Sequence, residues 1–543
     1  MRKEKRVRSH IGGRLFYRLF RPSPLASPIH KPICRLFRRL PSKQLAMLLA
    51  WVMSIRAIAV EITVDTSKAA DTVPITLPQQ VTAGLAQARV PLSAMSVVIE
   101  KSGSSVPLVA LNADLPMMPA STMKLVTTWA GLSILGRDYR WRTTAWADGN
   151  VDASGVLHGN LYIQGRGDPK LVPEELLDLV RKIHRAGING VDGALVLDKH
   201  YFGPSTRDLP RLDGDAGSPY AVDPDPLLYS FKSLSFKLTP STDGTVKVDV
   251  SPPLAHLLVD NELRITDGAC RATTQGYGPT VERADSGVVR AILRGAYSRR
   301  CGVRAINAAM LDHTTFFGEG FLALWQQTGG TFADSPDGSY IREGTVPVGA
   351  LLVATHDSPA LRDIVRDINK PSNNVMARNL FLTIGAVSGQ LPATPQKSAR
   401  AIVAFLRKKG LAFPELVLDN GSGRSRNERI SAMSLASLLQ AARTSPVAKI
   451  FVDSLPIAGV DGTMRRRLVG MAARGHAHIK TGTLRDVRAI AGYVTAANGE
   501  NYVVVSVIND INAHAAEAVH DTLLEWVYEG LPSGLSGAAI ANR

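Results

Sequence analysis

The chain has 543 residues, of which 45% are hydrophobic and 20% charged, so it can bury a sizeable core and is not an intrinsically disordered chain. Its formal net charge is +16, but residues 1–59 hold fourteen Lys or Arg and one acid, Glu4. Without this segment the charge is 16 − 13 = +3. No basic run with interleaved aromatic residues remains downstream, which argues against nucleic acid as a partner.

Residues 1–59 have the order of a secretory signal. A basic segment, 1–44, precedes a short apolar run at 45–55, and Ala57-Ile58-Ala59 follows. The apolar run is too short to anchor stably in a bilayer. We therefore expect residues 1–59 to be a leader, and the mature chain to be periplasmic without a stable membrane span.

The cysteines agree with export. Cys34 leaves with the leader, and Cys270 and Cys301 remain as an even pair. As a disulfide they would close a loop worth about 3 to 4 kcal/mol by the chain-entropy estimate. Two free buried thiols are the alternative.

The first catalytic candidates are Ser121 and Lys124, in the string Ser121-Thr122-Met123-Lys124. Apolar residues at helical spacing follow, at Leu125, Val126, Trp129 and Leu132. The spacing predicts a helix that starts at the serine and places the lysine one turn later on the same face. A neighbouring base would make the hydroxyl a nucleophile, and the helix dipole would favour the developing alkoxide. An ordinary helix cap is the alternative for Ser121.

A second string, Ser372-Asn373-Asn374, precedes another amphipathic pattern, so we expect a loop that opens a helix. The Ser372 hydroxyl can relay a proton between Lys124 and a leaving amine. The Asn374 amide can hold Lys124 and the substrate backbone. A second helix cap is the alternative.

A third string, Lys480-Thr481-Gly482-Thr483, ends an alternating pattern typical of a strand. A second cation at Lys480, with partial burial, would lower the pKa of Lys124 as a base requires. Gly482 would let a substrate approach the backbone closely. The alternative is a plain strand end at a turn.

Together, and in this order, the three strings resemble the low-molecular-mass class C penicillin-binding proteins, the D-alanyl-D-alanine carboxypeptidase/endopeptidase family of serine peptidases. The resemblance extends over roughly residues 85–530 and includes the segments 165–169, 419–426 and 454–463. Two positions depart from the family pattern, Arg424 in the G-S-G-L-S-R segment and Arg485 after K-T-G-T-L.

The resemblance implies a penicillin-sensitive enzyme that hydrolyses peptidoglycan peptides through an acyl-enzyme on Ser121, with β-lactam antibiotics as inhibitors and with no cofactor or metal. Lys124 would accept the serine proton and Ser372 would pass it to the leaving nitrogen. The backbone N–H groups of Ser121 and Thr483 would bind the oxyanion. The remaining candidates would contact the substrate: Lys480, Thr481 and Thr483 at its carboxylate, Gly482 at its backbone, and Arg426 and Arg485 near its peptide branch. A solvated loop charge is the alternative for each of the two arginines.

The motif spacing indicates a discontinuous catalytic domain. Ser121 and Ser372 are 251 positions apart, yet both must reach one cleft, so the intervening chain must leave and return. We expect an α/β (α+β) fold whose catalytic domain, 60–144 and 345–531, has an antiparallel sheet flanked by helices. The segment 145–344 is strand-rich and predicts one or two inserted β-rich domains. The tail, 532–543, is Gly/Ala/Ser-rich and expected to be mobile.

Two other functions share these features. A serine β-lactamase needs a deacylation base, usually a glutamate in an E-x-x-L-N loop, and the nearest string here begins at Glu415. That string fits better as a strand entering a turn. A non-catalytic scaffold of the same fold is disfavoured, because the serines and lysines of all three motifs are retained.

Overall fold

The computed structural model describes residues 76–204, 217–270, 278–283, 288–333 and 340–531. These residues belong to the larger of two units, Thr72–Arg543. The predicted leader, 1–59, and the predicted mobile tail, 532–543, lie outside the described residues. Within the described ranges no helix is long and apolar enough to cross a membrane.

The described residues form ten α-helices: α1 (Gln79–Gln87), α2 (Lys124–Ile134), α3 (Pro173–Arg185), α4 (His313–Gln327), α5 (Leu361–Asn369), α6 (Asn374–Ser388), α7 (Pro395–Lys408), α8 (Ala432–Arg443), α9 (Ala448–Asp453) and α10 (Glu517–Glu529).

They also form twenty strands: β1 (Met95–Lys101), β2 (Pro107–Leu111), β3 (Arg142–Ala147), β4 (Asn150–Val151), β5 (Val156–His158), β6 (Leu161–Gln164), β7 (Gly190–Val191), β8 (Leu195–Asp198), β9 (Leu234–Pro240), β10 (Val246–Ser251), β11 (Leu257–Thr266), β12 (Thr280–Arg283), β13 (Val289–Ser298), β14 (Arg304–Ala308), β15 (Thr331–Phe332), β16 (Ile341–Glu343), β17 (Leu351–Asp357), β18 (Ala477–Leu484), β19 (Val487–Thr495) and β20 (Asn501–Asn509).

The central sheet is antiparallel, with the strand order β18-β19-β20-β1-β2. Its inner strands β19, β20 and β1 are buried on both faces, because alternate residues enter two different hydrophobic clusters: in β20, Val503, Val505 and Val507 face one and Val504 and Ile508 face the other. Helices α2, α5, α6 and α8 cover the first face, and α1 and α10 cover the second. The predicted antiparallel sheet flanked by helices is confirmed, with β18 at the edge.

The chain between the two halves of the catalytic region leaves and returns through neighbouring strands. Strand β3 pairs antiparallel with β17, so Arg142 lies opposite Asp357. Both belong to a five-stranded sheet with the order β16-β8-β6-β3-β17. The division into domains stays a prediction, and this pairing favours boundaries slightly outside the predicted 145–344.

The inserted segment contains more helix than its sequence analysis predicted. Helices α3 and α4 pack among its sheets, beside the predicted strands. The signal for α3 was present: Pro173 stands at the first turn with two acids after it, and Leu176, Leu179, Val180 and Ile183 form one buried stripe. In the same segment a disulfide joins Cys270, after β11, to Cys301, after β13.

Replacing both Cys270 and Cys301 with Ser should lower the free energy of unfolding by about 3 to 4 kcal/mol, because the loop of 31 positions is no longer constrained in the unfolded chain. Denaturant unfolding of the oxidised wild type and the double variant measures this difference. The rate of penicillin acylation at low temperature should not change. A difference below about 0.5 kcal/mol would show that the crosslink adds little to stability.

Candidate active site

Ser121 lies on a tight turn held against the edge strand. It belongs to the 3₁₀ turn Ala120–Met123, which leads directly into α2. The preceding residue, Ala120, has a φ of 46°, a left-handed conformation that is uncommon for a residue with a side chain. A Cβ on Gly482 would lie 2.7 Å from the Pro119 carbonyl oxygen. Gly482 therefore permits a close approach of the edge strand to the backbone of the turn that carries Ser121.

Lys124 is completely buried and contacts three oxygen atoms. Its Nζ lies 2.9 Å from Ser121 Oγ, 2.7 Å from Asn374 Oδ1 and 2.5 Å from the Ser422 carbonyl oxygen. The Asn374 Nδ2 donates to the Tyr220 carbonyl at 3.1 Å, which agrees with its Oδ1 facing the lysine. Three segments that are distant in sequence thus meet at one nitrogen.

The surroundings of Lys124 favour its neutral form. Burial lowers its pKa well below the ordinary value, and the charge of Lys480 lowers the pKa further. The guanidinium groups of Arg378 and Arg424 act in the same direction, whereas the carboxylate of Glu428 opposes them. The effect of Lys480 on the pKa of Lys124 has the direction that a base requires, and the partnership of the two lysines in catalysis stays a prediction.

Lys480 lies buried on the edge strand β18, opposite the second serine. Its Nζ is 2.8 Å from Ser372 Oγ and 2.9 Å from the Thr481 carbonyl oxygen. Burial lowers the pKa of Lys480 to about 7. Ser372 has a φ of 61°, and such strain in a residue with a side chain is typical of functional sites. Asn373 caps helix α6, so the predicted loop that opens a helix is present.

The structure therefore brings five predicted residues into one cleft: Ser121, Lys124, Ser372, Asn374 and Lys480. Thr481 and Thr483 follow on β18, and the Thr481 hydroxyl lies 2.7 Å from that of Thr463. Thr483 is exposed beside the cleft.

The two arginines assigned to the peptide branch are both found at the turn between β18 and β19, which contains Asp486. Arg426 forms an ion pair with Asp486. Arg485 is exposed in the turn between β18 and β19. Their role toward a substrate stays a prediction.

Sequence reasoning missed Glu428. This side chain is completely buried, and its Oε1 accepts the backbone N–H groups of Asp419 at 3.2 Å, Asn420 at 3.0 Å and Gly421 at 2.8 Å. The next residue, Ser422, supplies the carbonyl that contacts Lys124. Glu428 thereby positions that carbonyl. Nothing in the polar string around it distinguishes it from a solvated acid.

A second contact that sequence reasoning missed joins the loop that carries Ser372 (the serine loop) to the segment beside β18. Lys370 Nζ lies 2.7 Å from Asp461 Oδ2, and the Lys370 carbonyl accepts the N–H of Thr463 at 3.0 Å. Because Thr463 contacts Thr481, the ion pair between Lys370 and Asp461 holds Ser372 in place against the edge strand.

In the part of the chain that the structure describes, no three His, Cys, Asp or Glu side chains are grouped as ligands for a metal ion.

Known proteins are similar to this chain in sequence and in fold. The model of the D-Ala-D-Ala carboxypeptidase 3 (S13) family matches residues 77–529. A D-alanyl-D-alanine carboxypeptidase of Actinomadura sp. (strain R39) is 28% identical over 441 residues, 78% of this chain and 78% of the relative. The D-alanyl-D-alanine carboxypeptidase DacB of Haemophilus influenzae is 27% identical over 405 residues, 73% of this chain and 81% of the relative.

Among solved structures, penicillin binding protein 4 (dacB) from Haemophilus influenzae has a similar fold, with a TM-score of 0.65 and 23% identity over 82% of this chain and 99% of that one. Since the family match spans most of the sequence and contains all three motifs, the chain belongs to the D-Ala-D-Ala carboxypeptidase 3 (S13) family and is a serine-type carboxypeptidase with the penicillin-binding fold.

Proposed function

We propose that this enzyme is a periplasmic DD-peptidase that hydrolyses both D-Ala-D-Ala ends and D-Ala-to-diamino-acid crosslinks of peptidoglycan through an acyl-enzyme on Ser121. The observation that carries the proposal is the hydrogen bonding of Lys124. Family membership supports the substrate class, and the signal-like segment 1–59 supports export.

The contacts of Lys124 determine where its lone pair must point. A neutral amine has two N–H donors and one lone pair. The Asn374 Oδ1 and the Ser422 carbonyl oxygen can only accept, so they take both donors. The lone pair of the neutral amine would then face Ser121 Oγ, 2.9 Å away, and the serine hydroxyl would donate to it. Lys124 is thus oriented to accept the serine proton while the Oγ bonds to the substrate carbonyl carbon.

The second serine contributes at the leaving group. Ser372 Oγ accepts from Lys480 Nζ, which leaves the Ser372 proton free for the departing nitrogen as the C–N bond breaks. The Ser372 proton would be replaced by the one that Lys124 took from Ser121, so that Lys124 is neutral again when water attacks the acyl-enzyme. The backbone N–H groups of Ser121 and Thr483 would bind the oxyanion, and water would then hydrolyse the acyl-enzyme.

A β-lactamase function has little support at this site. The carboxylate of Glu415, the one candidate for a deacylation base in the sequence analysis, accepts from the backbone N–H and hydroxyl of Ser431, at 3.1 and 2.8 Å. Glu428 is completely buried, and its Oε1 accepts backbone N–H groups, so its carboxylate is not exposed to the water that deacylation needs. A slowly hydrolysed adduct with β-lactams is therefore expected.

Benzylpenicillin should form a long-lived adduct of one molecule per chain, and Ser121→Ala should form none. Lys124→Ala should acylate several orders of magnitude more slowly, since it lacks the base. Intact-mass analysis after timed incubation measures both effects. Equal labelling of wild type and Ser121→Ala would refute the nucleophile, and unchanged acylation of a folded Lys124→Ala protein would assign the base to another group.

Glu428→Gln should move the acid limb of the acylation pH profile to lower pH. The carboxylate favours the ammonium form of Lys124, so its removal lowers that pKa further and keeps the base neutral in more acidic solution. Stopped-flow acylation by nitrocefin between pH 4 and pH 8, values chosen to bracket the usual range of catalytic pKa values, measures the limb.

Glu415→Gln is the matched control, because that glutamate lies in the same region but is not among the charges that act on Lys124. Its profile should equal that of the wild type. An unshifted limb in a folded Glu428→Gln protein would show that Glu428 has no electrostatic influence on the base.

Amidation of the carboxylate beside the scissile bond should cost about 2 to 4 kcal/mol of transition-state stabilisation, because the substrate loses its charged contact with Lys480. Lys480→Ala should then discriminate little between the acid and the amide. The kcat/KM values of paired acid and amide peptides measure this. Similar values in the wild type would mean that Lys480 serves mainly to lower the pKa of Lys124.

A further inference from the structure

A cavity opens beside the candidate catalytic residues, between the serine loop and the inserted segment. Its volume is about 670 Å³. One side is formed by the start of α6, including Asn374, and the other by the three-stranded sheet with the order β10-β9-β14. The cavity therefore adjoins the residues that hold Lys124 and extends away from them into the inserted segment.

The floor of the cavity is a straight row of polar side chains. Ser251 and Asn307 both lie opposite Ser235, so the three residues cross the sheet side by side on one face. With neighbouring strands about 4.8 Å apart, the row is about 10 Å long. A pyranose ring in a β-1,4-linked glycan advances by nearly the same distance as one strand spacing.

The hydrogen-bonding groups of this row are open to a ligand in the part of the chain that the structure describes. The side chains of Ser235, Ser251 and Asn307, and those of Ser230 and Ser233 nearby, form no hydrogen bond with another described residue. Each hydroxyl can donate and accept, and the amide can do both. A ligand rich in hydroxyl and acetamido groups would match these donors and acceptors.

The walls add apolar rings without adding charge. The Tyr220 ring is 65% exposed at the rim, and Phe231 also lines the cavity. Ser230, Phe231 and Lys232 have φ values of 41°, 56° and 50°, three consecutive residues in the left-handed conformation. Strain of this kind persists where the surrounding structure requires it, and it is common at ligand sites.

The described lining of the cavity carries no charge, and this favours the glycan over the peptide stem as the part of a peptidoglycan strand that binds there. The peptide stem carries carboxylates, which a cationic surface would bind. None of the described residues that line this cavity is charged. The glycan is uncharged along its N-acetylated sugars, and its rings have apolar faces that stack on aromatic side chains.

We propose that this neutral cavity, which we call the serine groove, binds the N-acetylated glycan of the peptidoglycan strand whose peptide is attacked by Ser121. The inference rests on the proposed function. It assigns to the inserted segment a direct part in substrate recognition. The enzyme would then act on peptides still attached to sugar more efficiently than on free peptides.

The kinetic test compares one peptide with and without its linked disaccharide. The wild type should show a kcat/KM about tenfold higher for the disaccharide peptide, as expected from a few net hydrogen bonds. Ser235→Ala/Asn307→Ala should reduce this ratio toward one, and the free peptide and penicillin acylation should be unaffected. Asn307→Phe, which fills the groove from an edge strand, should have the same effect.

Thr239→Ala is the matched control, because Thr239 stands on the same face of β9 as Ser235 but does not line the groove. Its ratio should equal that of the wild type. A wild-type ratio near one would overturn the proposal while leaving the DD-peptidase function intact. Equal losses for both substrates in the double variant would also overturn it, because the groove would then hold the peptide.

A binding measurement separates this proposal from the catalytic one. Calorimetric titration of the Ser121→Ala protein with the hexamer of N-acetylglucosamine should show binding, weakened at least about tenfold in the Ser235→Ala/Asn307→Ala background. No binding by the parent protein would refute the groove as a glycan site. If neither peptide is hydrolysed and penicillin forms no adduct, the proposed function fails, and the titration still decides the groove.

Discussion

The active site depends on a lysine that is buried away from solvent and whose amine contacts only uncharged oxygen atoms. An ammonium placed where Lys124 lies would be costly, since burial disfavours charge and a second lysine is near. The protein supplies two acceptors from Asn374 and Ser422, so a neutral amine can be held in one orientation. Once that orientation is set, the serine beside it becomes the group whose proton can move.

Two segments converge to build this arrangement, and each is held by a polar contact, one buried at Glu428 and one partly buried between Lys370 and Asp461. Glu428 gathers three backbone N–H groups and so holds the carbonyl of Ser422. Lys370 and Asp461 hold the serine loop against the segment that touches Thr481. Helix α6 also joins the inserted segment, because Asn379 donates to the carbonyls of Gly167 at 3.1 Å and Asp225 at 3.0 Å. Catalytic and inserted parts are thus tied at one helix.

Much of the site could be predicted from sequence because its first contact is local. Ser121 and Lys124 are one turn apart, and helical geometry alone brings them together. The contacts of Lys480 with Ser372 needed the resemblance to a known family, since no periodicity relates residues 108 positions apart. Glu428 could not be found this way, because its burial results from how a polar loop closes on it.

The fold shows the same division. Alternating strands of the central sheet were predicted because period two is read directly from the residues. Helix α3 was missed although its buried stripe was present, since strand signals on both sides dominated the segment. The predicted boundaries at 145 and 344 did not include the pairing of β3 with β17, which is a contact between distant parts of the chain.

That pairing has a consequence for how such a protein can change over evolution. The chain departs and comes back through two adjacent strands, with Arg142 opposite Asp357, so the ends of the insertion are separated by a single strand spacing. Closing so small a gap requires little of the intervening sequence, and the entropic cost of a longer insertion grows only slowly with its length. The segment between these strands could therefore change in length without moving β3 and β17 apart, provided that its contacts with helix α6 are kept.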